Sequence, residues 1–85
     1  MPTVLRVAGF QVRVYMRDHP PAHVHVWKAG AWVKVELPTD DAVARVVAVR
    51  GMTISNVIRA VRIVERHTAS LRAAWKKYHG DKATE

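Results

Sequence analysis

The apolar repeat of this chain changes once, and that change limits the folds open to it. Up to Arg50 apolar residues recur at every second position. From about Thr53 they recur at every third or fourth. A period of two puts side chains on alternate faces of a strand, whereas a period of 3.6 lines one side of a helix. The spacing predicts strands over 3–8, 10–17, 23–28, 31–37 and 42–49, followed by a helix. In the second strand Phe10, Val12, Val14 and Met16 face one way, and Gln11, Arg13, Tyr15 and Arg17 the other. In the fourth, Val33, Val35 and Leu37 oppose Trp32, Lys34 and Glu36. Gly9 and Ala29-Gly30 supply tight turns, residues 38–41 break the fourth strand from the fifth, and Arg50-Gly51 marks the transition to helix.

The helical stripe comprises Ile54, Val57, Val61, Val64, Leu71, Trp75 and Tyr78. Thr53 or Ser55 is the expected N-cap, and Gly80 the stop. The favoured reading is one kinked helix of about 26 residues; the alternative is two helices broken near His67-Thr68. The expected fold class is α+β. A five-stranded antiparallel meander (β-β-β-β-β-α) has one face covered by the long C-terminal helix. It forms a single domain over 1–80, with 81–85 a frayed tail.

The densest chemistry lies in Asp18-His19-Pro20-Pro21-Ala22-His23-Val24-His25-Val26-Trp27, which holds three of the five histidines. Proline fixes its own φ and keeps the preceding residue out of the helical region, so the Pro-Pro step sets an extended turn. His23 and His25 then share a strand face. If 18–22 is the loop, Arg17 pairs with His23, Tyr15 with His25, and Arg13 with Trp27. A turn over 28–31 pairs Trp27 with Trp32, His25 with Lys34, and His23 with Glu36. With Arg6 and Arg45, these residues make one surface of cations, imidazoles, a phenol and two indoles.

The net charge of +7, from 14 Lys and Arg against 7 Asp and Glu, favours a polyanionic or acidic partner. There are no cysteines, which excludes disulfides and thiolate metal sites and fits a reducing, cytoplasmic setting. No apolar run approaches the roughly 20 residues of a bilayer span. Arg6 and Arg13 interrupt any secretory leader. No membrane partner is expected. A chain of this size buries only about 60–65% of its unfolded surface, and its open sheet edges favour a homodimer.

Cations can hold phosphates and aromatic rings can stack on unpaired bases. Two histidines can act as base and acid when a ribose hydroxyl attacks its phosphate, which needs no metal. The expected catalytic set is therefore His23, His25, Tyr15, Arg17 and Lys34. The expected nucleic-acid contacts are Arg6, Arg13, Arg45, Trp27 and Trp32, with Arg59, Arg62 and Arg66 on the polar face of the helix, beside Lys77. His19, Pro20 and Pro21 are read as structural. Blander readings stand beside these: a cross-strand tryptophan pair, surface histidines, and a solvated arginine row. A metal set of His19, His23 and His25 would have only Asp18 or Glu36 to complete it, with arginines opposing the ion's charge. No metal and no cofactor are expected.

The chain resembles a family of small bacterial proteins, domain of unknown function 4160. The carrying residues are Met1-Pro2-Thr3, Gly9-Phe10, the strand ending in Tyr15, the run His19-Pro20-Pro21-Ala22-His23-Val24-His25-Val26, and Trp75. The similarity covers roughly residues 1–78. Ala22 adds one residue between Pro-Pro and His23 relative to the tightest form of the pattern, which bears on how His19 faces His23. The resemblance implies a two-gene toxin–antitoxin-type module, with this chain its toxin-like member and a small acidic antitoxin its partner. The motif carries over to His19, Pro20, Pro21, His23 and His25, and no catalytic role carries over with it. The rival expectations are a non-enzymatic nucleic-acid-binding regulator and a structural partner of an acidic protein.

Overall fold

The computed structural model describes residues 3–38 and 43–79. Five strands, β1 (Thr3–Val7), β2 (Phe10–Arg13), β3 (His23–Lys28), β4 (Ala31–Glu36) and β5 (Arg45–Arg50), pair antiparallel in sequence order. Two helices follow, α1 (Ile54–Arg66) and α2 (Thr68–His79). The α+β meander agrees with the alternation. The hairpins β1–β2 and β3–β4 close through Ala8-Gly9 and Ala29-Gly30, with φ of 49°, 82°, 50° and 80°. Positive φ at both central residues is the form whose twist matches that of the paired strands.

The β3–β4 register is the expected one: His23 opposite Glu36, His25 opposite Lys34, Trp27 opposite Trp32. The β2–β3 register is not. Arg13 faces His25 and Gln11 faces Trp27, two residues from the expected pairing. The second strand ends at Arg13, and residues 14–22 form the connection, held at a turn by the Asp18 N–H donating to the Tyr15 carbonyl (3.2 Å). Met16, expected in the core, is exposed on that turn. An even shift keeps every side chain on its face, so the same residues make up the expected surface. The peptide between Pro20 and Pro21 is cis.

Phe10, Val12, Val14, Val24, Val26, Val33, Val35 and Leu37 form the buried sheet face, against Ala60, Ile63, Val64, Leu71 and Trp75 of the helices. The expected single helix is two. At His67 the backbone leaves helical geometry (φ −114°, ψ 24°). His67 Nδ1 donates to the Ile63 carbonyl (2.9 Å), and the Thr68 hydroxyl bonds the Val64 and Glu65 carbonyls (3.1 and 3.0 Å). These side chains satisfy carbonyls that the helix end leaves open. The N-cap is Thr53, whose hydroxyl accepts from the Asn56 N–H (3.2 Å). Ile54, placed on the apolar stripe by its spacing, is exposed, because it lies in the first turn and the buried stripe begins later, at Ala60. The expected starts and ends at Ala42 and Gly80, and the 81–85 tail, fall outside the described residues. Among the described residues no helix is long and apolar enough to cross a membrane.

Long-range hydrogen bonds tie the helices to the segments that flank β4 and β5. The Ala44 N–H donates to Glu65 Oε2 (2.9 Å), and Arg72 donates from Nε and Nη2 to the Pro38 carbonyl (2.9 and 2.6 Å). β5 is an edge strand, and Val46, Val47 and Val49 on it are 40–46% exposed.

Candidate functional site

The sheet face opposite the apolar core is built in rows, because residues paired across strands share a face. One row runs Arg6, Gln11, Trp27, Trp32, Arg50; the next Arg13, His25, Lys34, Ala48; the third His23, Glu36, Arg45. Arg6, Arg13, Arg45, Trp27, Trp32, Lys34, His23 and His25 are thus brought together as the alternation requires. Gln11, which the alternation puts on the Arg13 side, and Arg50 join them; the strand period alone could have placed Arg50 there too.

The aromatic residues brace one another. Trp27 Nε1 donates to the Tyr15 hydroxyl (2.8 Å). Arg13 lies over the Trp27 ring at 4.8 Å and donates from Nη2 to Gln11 Oε1 (2.8 Å). The Trp27 and Trp32 rings are 6.3 Å apart. Tyr15 leaves the strand yet still covers this face, its ring 4.4 Å from that of His25. Arg59, Arg62 and Arg66 are exposed on α1, outside the sheet face.

His23 is buried, only 5% exposed. Its ring packs on Trp75 (5.0 Å between centroids), which in turn stacks on His79 (3.9 Å). His79 Nε2 donates to the Tyr15 carbonyl (2.9 Å), so the end of α2 is pinned to the 14–22 connection. His23 Nδ1 lies 2.9 Å from the Pro21 carbonyl oxygen. A carbonyl only accepts, so Nδ1 donates to it, and Nε2 points the other way.

Nε2 faces a carboxylate. His23 Nε2 is 3.0 Å from Asp18 Oδ2, and His25 Nδ1 is 3.9 Å from the same oxygen. All three atoms are buried, and beyond these mutual contacts none has a hydrogen-bond partner among the described residues. Burial lowers the His25 pKa below its ordinary value; the Asp18 charge opposes that shift, and His23 and Lys34 reinforce it. Asp18, which the sequence offers only as a carboxylate that could complete a metal set, is not among the expected catalytic residues, and the turn at 15–18 brings it back beside the strand.

Beside Asp18 and His23 opens a cleft of about 270 Å³, bordered by Arg17, His19, Lys34 and Glu36. Glu36 Oε2 is 3.8 Å from Arg45 Nε. His19 is exposed at the cleft mouth and lies outside the three-atom cluster. The expected catalytic residues therefore converge on one corner, but with His23 facing Asp18 rather than solvent. No curated protein and no solved structure matches this chain significantly. The family model described as Domain of unknown function (DUF4160) matches residues 9–76.

Proposed function

The chain belongs to the DUF4160 family, and from that premise we propose that it binds RNA through its open sheet face, as the cytoplasmic, toxin-like member of a bacterial toxin–antitoxin pair. The observation that carries this reading is the row arrangement. Indoles at Trp27 and Trp32 lie among the cations Arg6, Arg13, Lys34 and Arg50, and Lys34 also lines the His23 cleft. Alternating cations and rings suit a single strand, in which phosphates and unstacked bases are both available. Arg17 and Lys34 at the cleft would hold a phosphate beside the reactive corner. The toxin setting and the acidic antitoxin partner rest on the resemblance and on the +7 charge.

Expression in a bacterial host tests the reading, with growth and total RNA integrity followed for the wild type and for His23→Ala/His25→Ala. Arrest and RNA loss with the wild type alone are expected. Arrest that survives the double substitution would remove the histidines from the mechanism. With purified protein, affinity for a single-stranded RNA oligonucleotide should fall steeply as salt rises, and more than tenfold with Arg13→Ala/Lys34→Ala.

The exposed row Arg59, Arg62 and Arg66 supports a second reading, a non-enzymatic regulator that binds duplex DNA through α1. Duplex binding that is lost on replacing those arginines and indifferent to Arg13 and Lys34 would select it.

A further inference from the structure

We infer that Asp18, His23 and His25 form a binding site for one divalent transition-metal ion, with zinc the best match, open on one side to the cleft bordered by Arg17, His19, Lys34 and Glu36. The inference does not depend on RNA binding, because it is read from the protein and the ion alone.

Three buried ligand atoms, Asp18 Oδ2, His23 Nε2 and His25 Nδ1, lie within 4.8 Å of one another and, among the described residues, have no hydrogen-bond partner outside the cluster. Buried polar atoms are costly unless something satisfies them. A proton shared between His23 and Asp18 would serve two of the three and leave His25 Nδ1 as it is. One cation at their centre serves all three. Zinc bonds of about 2.0–2.1 Å to nitrogen and oxygen place tetrahedral ligands about 3.3 Å apart. The separations of 3.0 and 3.9 Å to Asp18 Oδ2 bracket that value.

The surroundings are those a ligating histidine needs. The Pro21 carbonyl accepts a hydrogen bond from His23 Nδ1 (2.9 Å) and leaves Nε2 free to bind, the second contact that orients most metal-bound imidazoles. Trp75 holds the His23 ring, and Tyr15 and Trp32 flank His25. Two neutral imidazoles and one carboxylate leave a divalent ion with one net positive charge. Arg17 and Lys34 cannot ligate, and with that charge they make the fourth position an anion site. Two histidines with one carboxylate and an open position is a donor set for zinc or iron(II), not for magnesium or calcium.

The full chain, stripped with chelator and dialysed, would be titrated with zinc against a chromophoric competitor, with cobalt(II) as a spectroscopic substitute. One ion per chain is expected, together with the visible absorption of low-coordinate cobalt and a rise in melting temperature on zinc addition. Asp18→Asn and His25→Gln should each weaken binding at least tenfold and abolish the melting shift, with far-UV circular dichroism confirming the fold. His19→Ala should leave stoichiometry and affinity unchanged. Absence of stoichiometric zinc binding by the wild type would overturn the inference. So would binding that persists in both Asp18→Asn and His25→Gln, or binding that is lost with His19→Ala alone.

Discussion

His23 meets three demands with one ring: it donates to Pro21, packs on Trp75 and faces Asp18. The shared face of His23 and His25 is legible in the sequence, since a two-residue spacing in a strand admits no other arrangement. The contact of Asp18 with both rings is not legible there, although its carboxylate is, because its position depends on where β2 stops. The alternation of 10–17 continues smoothly through Arg13, so nothing in the period marks that end. Backbone strain at single residues is equally hidden. Ala8 and Ala29 hold φ near +50°, a region that costs an L-residue with a Cβ about 1–2 kcal/mol. Asparagine tolerates this region better and favours the first position of such turns. Ala29→Asn should therefore raise stability by about 0.5–1 kcal/mol, seen as a higher urea midpoint with an unchanged slope. A lower midpoint would mean that the strain is relieved elsewhere.

Elements were legible where one period ran long enough, and less so where side chains decide an end. The two-residue slip of β2 against β3 changed every pair and no face. The helical break at His67 leaves the 3.6 period intact on both sides, from Val64 to Leu71, so the period alone could not choose between one helix and two. The choice is made by the His67 ring and the Thr68 hydroxyl reaching back to carbonyls. At the other end of α1 the first turn has no acidic residue, so Thr53 is the side chain that relieves its open N–H groups. Thr53→Ala should cost about 1 kcal/mol, read from the denaturation midpoint of the whole protein. A cost near zero would show that water caps this end as well as the hydroxyl does.

Across the whole molecule the apolar surface is shared unevenly: β2, β3 and β4 are closed over by helices, whereas β5 keeps three valines partly in solvent along an unpaired edge. The exposed Arg45 and Arg50 bound that strand. A bare, β-branched edge is a template for growth by further strands, and charges at its ends act as gatekeepers against it. Arg45→Ala/Arg50→Ala should lower the concentration at which the purified chain stays monodisperse, by light scattering, with its melting temperature little changed. Unaltered scattering would assign the protection to something else. Where the two arginines do protect it, colloidal behaviour rests on two side chains and on whatever strand docks first. A partner bound along β5 would act as an antiaggregant, and producing the two chains together would yield more usable protein than producing this one alone.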